Sequence, residues 1–579
     1  MKKIILSLLL ILLMVACSTT DNTSVKRTLV IISDFHLGSD LIIKIYGAVR
    51  NRYPDIEIQF FPAAPFDIKE AAYNLEVAVK NYPAGTFFIC IVEPGAIGKK
   101  MVFRTDDNKK ILVADNGLAS RIIKYFPTFD FYYVDNQSIF DGKQYNEVSF
   151  EEYYTKATIA LISDIPMKNL GSAVTNPVIY QIQEAVNEEG VVKGEILFND
   201  DFGNCISNIS SDIANNFQVG DILKIVADDK VAFYSTVGTN YGSVPNNENV
   251  CFFNSSKRLE IAANYGNISQ RYGISAGTKL RITKATVRVG ILLYNQSPVV
   301  LDIVSGMKNR MQELGFKEGI NTLYNIKNAN GDKASLKGLI DELLADGIDI
   351  IVPISTPASQ SAVQFVPDSI PIIFSYVTDP QSAGILDVRK GVSGLSDATN
   401  FIDYMNFIIE LFPNLKKAGT IYNNTESNSI YAQQQLKKQT NLLSIDLIQY
   451  PIINANDINT AYNQLKSQDI KIILIVADNT MSNEMKTLSN LALPEKISVI
   501  GDSYQHAKDG ALASISVDYD ALARGTGDLV ASVIRGINPD SQKIKTFSTN
   551  VVAINTQTAM SIGYTFSESI IQRAKYIFP

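Results

Sequence analysis

The chain has little histidine, little cysteine and no excess of positive charge, and each scarcity removes a class of function. Only His36 and His506 occur among 579 residues, which excludes histidine-rich metal sites and leaves few candidates for a histidine base. The four cysteines, Cys17, Cys90, Cys205 and Cys251, show no C-x-x-C spacing. Neither a thiolate zinc site nor a disulfide framework is therefore indicated, and the last three read as buried free thiols. A formal charge of -7 with dispersed Lys and Arg offers no basic stripe for nucleic acid and no polybasic membrane patch. No apolar run reaches the roughly 20 residues that span a bilayer. Chemistry must rest on carboxylates, amides, hydroxyls and backbone.

What is present begins with a targeting signal. After Met1-Lys2-Lys3, an apolar run from Ile4 to Val15 ends in Ala16-Cys17, and a polar stretch from Ser18 to Arg27 follows. The basic start, short apolar core and small residue before the cut fit a secretory signal peptide over residues 1–16, with 17–27 a polar tether. Met14-Val15-Ala16-Cys17 resembles a bacterial lipobox, which implies acylation of Cys17. The alternative is an ordinary cut near Ala16 with Cys17 a bystander. A lipoprotein of this kind sits on the membrane without crossing it, so the rest of the chain is expected to be extracytoplasmic. At 579 residues with 46% hydrophobic content, three to five globular lobes of roughly 100–200 residues each are expected.

From Val287 onward, short apolar runs alternate with helical patterns. Val287–Leu293, Ile348–Ile354, Ile370–Ser375, Ala418–Tyr422, Ile470–Val476 and Ser498–Gly501 read as strands, with helices over Leu301–Leu314, from Ala358 and over Ser429–Thr440. Such alternation predicts an α/β fold with two parallel sheets covered on both faces, hence two lobes. Ligands of open parallel sheets bind beyond the carboxyl ends of the strands. The residues there are polar, and they supply the candidate site: Tyr294, Gln296, Ser297, Ser355, Thr356, Tyr376, Asp379, Asn423, Asp478, Asn479 and Asp502. Ser355-Thr356-Pro357 opens a helix, so its hydroxyls and free amides suit a carboxylate. Asp478 and Asp502 suit an ammonium group, and Tyr294 and Tyr376 either stack on a ring or serve as core tyrosines.

The text of this half, residues 287–579, resembles the substrate-binding proteins of ABC importers, of the type linked to tryptophan and tyrosine uptake. Asn328-Ala329-Asn330-Gly331-Asp332, Ser355-Thr356-Pro357-Ala358-Ser359-Gln360, Val377-Thr378-Asp379-Pro380, Gly391-Val392-Ser393-Gly394, Tyr422-Asn423-Asn424-Thr425-Glu426-Ser427-Asn428-Ser429, Ala477-Asp478-Asn479-Thr480 and Val517-Asp518-Tyr519 carry the likeness. The resemblance implies a periplasmic-binding-protein clamp that closes on a small, amino-acid-like solute and hands it to an ABC permease.

The amino-terminal half reads as an α/β lobe over residues 28–165, with strands at Leu29–Ile32 and Phe87–Val92 and a helix over Ile68–Asn81. A small β domain over 166–285 follows, with strands at Val191–Phe198, Asp221–Val226, Lys230–Tyr234, Val250–Phe253 and Thr278–Ile282. The joint with the clamp falls near Thr283–Thr286, with almost no linker. Ser33-Asp34-Phe35, Pro65-Phe66-Asp67-Ile68, Asp115-Asn116-Gly117-Leu118, the run from Asp200 to Ile209 and the run from Asn254 to Ala262 resemble the S-adenosylmethionine hydroxide adenosyltransferase and halogenase family. By that resemblance Asp34 accepts ribose hydroxyls, Asp200 meets the methionine ammonium, and Asn116, Asn204 and Ser255 hold other parts of a nucleoside. S-adenosylmethionine or adenosine is the ligand the resemblance allows, with no other cofactor and no metal, and it implies a homotrimer.

The catalytic positions depart from the family pattern. Val92-Glu93-Pro94-Gly95-Ala96-Ile97-Gly98-Lys99-Lys100 stands where the hydrolases have V-D-P-G-V-G and an arginine, and Ser149-Phe150-Glu151-Glu152 stands where they have T-F-H-G. A carboxylate at Glu151, where a donor stood in a small dry pocket, would repel an anionic nucleophile by several kcal/mol, on the order set by a low dielectric, and a pocket gaining Glu93 and Glu151 suits a cation or a neutral nucleoside better. The favoured reading is a lipid-anchored importer receptor fused to a catalytically degenerate module. Two others stand beside it: an extracytoplasmic adenosyl hydrolase using Glu93 or Glu151 as base, and a trimeric pseudo-enzyme that clusters the clamps.

Overall fold

The computed structural model describes residues 27–93, 98–163, 165–547 and 549–579. The signal peptide, Cys17 and the Pro94–Ile97 part of the Val92–Lys100 motif lie outside them. Four sheets organise the chain. In the first, Glu57–Pro62, Thr28–Ser33, Phe87–Ile91 and Lys110–Ala114 run parallel, and Lys100–Thr105 then pairs antiparallel with both Lys110–Ala114 and Thr128–Tyr133. The central strand Phe87–Ile91 is fully buried, as apolar text such as Phe87-Phe88-Ile89-Cys90-Ile91 requires when helices cover both faces. Helix Ile68–Asn81 lies on one face, capped by the Asp67 carboxylate accepting from the Glu70 N–H.

The second sheet has eight mostly antiparallel strands, and pairing of Lys279–Lys284 with Val191–Asn199 closes it on itself around one apolar core. Cys205 and Cys251 belong to that core and Cys90 to the first lobe's; all three are free and buried.

The clamp follows directly, since strand Lys279–Lys284 leads into Val287–Leu293. Lobe 1 is an all-parallel sheet in the order Thr322–Asn328, Val287–Leu293, Ile350–Ile354, Ile372–Val377, Val392–Ser396, Lys545–Thr546. Lobe 2 runs Asp446–Ile452, Lys417–Asn423, Ile472–Leu474, Ser498–Gly501, Ala513–Val517, Thr549–Asn555, Ala574–Phe578, with Thr549–Asn555 antiparallel to its neighbour Ala513–Val517. The lobes have separate cores. Three crossings join them: after Ser396, after Val517 into helix Tyr519–Ile534, which packs on helix Pro298–Glu313 of lobe 1, and between Thr546 and Thr549.

The β domain is seated on lobe 1. Ile222 enters that lobe's core, and the Ala285 N–H donates to the Ile222 carbonyl at 2.8 Å. Arg535 and Glu248 form a buried ion pair at 3.0 Å, and the Asn249 N–H donates to the Arg535 carbonyl at 2.8 Å. The Tyr234 hydroxyl donates to Asp349. Gly536, at φ +92°, leaves no room for a side chain, because a Cβ there would fall 2.3 Å from Asn249.

Candidate functional site

The carboxyl ends of the two clamp sheets face each other across a polar cavity. It is lined by Thr356, Tyr376, Thr378 and Asp397 with Thr399 of the first crossing, and by Asn428, Ala477, Asp478, Asn479, Ser482 and Asp502 of lobe 2, with Tyr519 at the second crossing. Its volume is about 20 Å³, room for roughly one water. The lobes are thus closed on each other, and a larger molecule enters only when they part. Among the described residues, two bonds bridge them away from the crossings: Gln360 Nε2 donates to Ser427 Oγ at 3.2 Å, and the Tyr504 hydroxyl donates to Asp302.

Three non-glycine residues at this cleft hold left-handed backbone: Ser355 at φ 92°, Tyr376 at φ 57° and Ala477 at φ 39°. Each such residue costs about 1–3 kcal/mol and persists because surrounding packing fixes it. Each stands at or just beyond the end of a strand, so the twist turns the chain sharply at the sheet edge.

Polar groups here fall into two kinds. Asp478 is saturated: it accepts from the Asn423 N–H at 2.6 Å, Ser429 Oγ at 2.6 Å and the Met481 N–H at 2.8 Å. It caps helix Asn479–Asn483, and burial with Glu426 nearby pushes its carboxyl upward. Asp502 accepts from the Ala477 N–H at 2.6 Å and Thr399 Oγ1 at 3.3 Å; burial raises it to about 6. Asp397 is unsaturated. Its Oδ1 has no partner, and burial followed by the charge of Asp502 raises it to about 7. Asn428 donates to the Ala477 carbonyl at 2.7 Å while its Oδ1 has no donor, and the Ser355 Oγ is likewise without a partner. Each such orphan is desolvated with no compensating bond, a state that costs about 1–3 kcal/mol.

Of the residues expected from the sequence, Thr356, Tyr376, Asp478, Asn479 and Asp502 line the cavity, and Ser355 lies at its edge as the residue before helix Thr356–Phe365. Asn423 is turned inward, donating to Thr480 and Glu426. Asp379 closes its own turn on the Gln381 and Ser382 N–H groups. Tyr294 packs against the lobe 1 core, Gln296 is exposed, and Ser297 precedes helix Pro298–Glu313. These five are not among the lining residues. The sequence reading missed Asp397, Asn428 and Tyr519. Asp397 sits at the carboxyl end of strand Val392–Ser396, the position the strand-end rule selects.

The amino-terminal candidates are differently placed. Asp34 accepts from the Phe66 N–H at 3.1 Å and keeps one oxygen unpartnered. Asn116 ties Val92 to Leu118. Asp200 accepts from the Phe202 and Asn204 N–H groups and from the Asn204 amide, and Ser255 lies exposed in a turn. No hydrogen bond or ion pair among the described residues links Asp34 or Asn116 directly to Asp200, Asn204 or Ser255; Arg258 of the β domain and Glu76 of the first lobe pair at 3.4 Å.

Two sequence expectations are corrected. Glu93 adds no net negative charge, because it pairs with Lys100 at 3.0 Å, both side chains buried, and accepts from the Tyr154 hydroxyl. The rings of Phe150, Tyr153 and Tyr154 surround Lys100. Glu151 is not in a dry pocket; it opens helix Phe150–Ile162, part-exposed, its carboxyl lowered by its own N–H and by Ser149. Lys99 turns away to Asp135 at 3.5 Å and to the Tyr133 ring.

Residues 288–577, half of the chain, match the ABC transporter substrate binding protein family. The chain belongs to that family. Residues 29–171 match the SAM hydroxide adenosyltransferase N-terminal domain and 194–281 its C-terminal domain. The "Tyrosine-binding protein" of Clostridioides difficile is 27% identical over 300 residues, covering 51% of this chain and 86% of that protein. The "(R)-S-adenosyl-L-methionine hydrolase" of Thermus thermophilus is 23% identical over 265 residues, covering 44% of this chain and 99% of that protein. A solved structure of an ABC domain in complex with L-Trp from Streptococcus pneumonia superposes with a TM-score of 0.48 at 26% identity, covering 51% of this chain and 100% of that one. Substrate-binding family membership and the adenosyltransferase-type domains therefore stand joined in one polypeptide.

Proposed function

We propose that this chain is the lipid-anchored, extracytoplasmic receptor of an ABC importer, that its clamp captures an amino acid, and that its adenosyltransferase-type module does not turn over. One observation carries the clamp's part: an unpartnered Asp397 oxygen lines the same cavity as the opening turn of helix Thr356–Phe365. A carboxylate lacking a donor suits an ammonium, and free helix-start amides with the Ser355 hydroxyl suit a carboxylate. Together they suit a zwitterion. The ligand in the name of the related tyrosine-binding protein points to an aromatic side chain. Asp397, rather than the saturated Asp478, takes the ammonium.

The module's inactivity is supported by Glu93, Lys100 and Tyr154, which satisfy one another and leave no free base at that position. Asp34 and Asp200 remain in place for a nucleoside to be held without cleavage. Because the chain has no tryptophan, a change in the emission of added L-tryptophan reports binding with no protein tryptophan signal beneath it. Saturable binding of L-tryptophan or competing L-tyrosine, lost with indole-3-propionate, which lacks the ammonium, supports the reading. Absence of binding by all of these rejects it. Incubation with S-adenosylmethionine should yield no adenosine by chromatography, and steady adenosine formation would establish the hydrolase reading instead.

A further inference from the structure

Asp397, Asp478 and Asp502 line one small cavity, and no basic side chain is among its lining residues. Asp478 is saturated by three donors. Of the remaining pair, Asp502 accepts from the Ala477 N–H and Thr399 Oγ1, whereas Asp397 keeps an oxygen without a partner; across the cleft the buried Asn428 of lobe 2 presents an acceptor without a donor. The groups facing this pair are all neutral or acidic. Tyr376 and Tyr519 face both carboxylates, with Tyr504 behind them. Tyr404 and His506 face Asp502, and Glu426 faces Asp478. The His506 ring is neutral, held down to about 3 by burial; its Nδ1 accepts from the Asp502 N–H and its Nε2 meets Ser482 Oγ.

Two ionised carboxylates closed off from water without a cation are unfavourable, and a proton is the simplest way to relieve them. We propose that the closed, solute-free clamp holds a proton on the Asp397 and Asp502 pair, and that the solute's ammonium displaces it, so capture releases a proton and acid favours letting go. The balance is simple: a protonated carboxyl meets an ammonium, the carboxylate keeps the ammonium, and the proton leaves to solvent. Burial places both groups where this exchange falls near neutral pH. This inference rests on the amino-acid reading for its second half only.

The test is calorimetric titration of the full chain with L-tyrosine at pH 6.0 and 8.5, each in two buffers of different ionisation enthalpy. Close to one proton should leave per solute at the lower pH and almost none at the higher, with Kd rising about tenfold for each pH unit further into acid. Binding with no proton release at pH 6.0, or with uptake, overturns the proposal. A second measurement needs no solute: melting curves of the natural chain and of Asp397→Asn from pH 5 to 8.5. The natural chain should lose stability relative to the variant as pH rises, and parallel curves overturn the proposal. Should neither L-tyrosine nor L-tryptophan bind while the curves diverge, the amino-acid reading and the displacement step fail together and the proton-holding pair stands.

Discussion

The clamp cleft and the amino-terminal catalytic position are both built from buried acidic groups at strand ends, yet their polar atoms are disposed in opposite ways. In the cleft, Asp397, Asn428 and Ser355 each keep an atom without a partner. At the other position, Glu93 is matched by Lys100 and the Tyr154 hydroxyl and enclosed by aromatic rings. A site prepared for a guest leaves bonding capacity unsatisfied and relies on surrounding packing to hold it so. A site that has closed on itself resembles any structural ion pair. The two arrangements differ in the bonding capacity left open, which counting acidic residues does not reveal.

The contrast breaks most visibly at Glu93. Glu93→Gln leaves Lys100 buried and unpaired, and unfolding free energy of the amino-terminal half should fall by about 3–5 kcal/mol, read by denaturant titration. A small loss there would mean the pair is not structural. Asp397→Asn should do the reverse, weakening amino-acid binding by about 2–4 kcal/mol while leaving the fold intact, as calorimetry and circular dichroism will show.

The pH dependence sharpens the same point. Asp397 moves from an ordinary carboxylate value in the unfolded chain up to about 7 in the fold. Between those values the folded state binds more protons, so stability falls as pH rises and the loss is complete above about pH 7. Ligand-free protein should accordingly melt lower at pH 8 than at pH 5.5, and saturating solute should flatten the slope. The smallest effect expected is at the bridge between lobes. Tyr504→Phe removes the bond to Asp302, worth about 1 kcal/mol, and solute should dissociate roughly fivefold faster in stopped-flow measurements.

Much of this was legible in the residues. Apolar runs bounded by turns placed Val287–Leu293, Ser498–Gly501 and helix Ile68–Asn81 with the limits the structure has. Strand Val392–Ser396 was not read, because Val-Ser-Gly-Leu-Ser has the composition of a turn; its burial comes from neighbours on both sides rather than from its own side chains. Losing that strand lost Asp397 at its end. Strands Cys205–Ser210 and Arg258–Ala263 were hidden in the same way by Ser207, Asn208, Arg258 and Glu260. The Glu93 and Lys100 pair was invisible for another reason: seven positions apart in sequence, the two meet only because Lys100 begins a strand that pairs beside Phe87–Ile91's neighbour. Sequence shows which residues are acidic. It does not show which are already answered.

The seating of the β domain on lobe 1 alone has a mechanical result. Ile222, Glu248, Asn249 and Tyr234 all grip the same jaw, so these contacts tie the appended half and its surface to lobe 1. If the clamp opens, lobe 2 is the jaw free to change its angle, while lobe 1 carries the surface of the appended half.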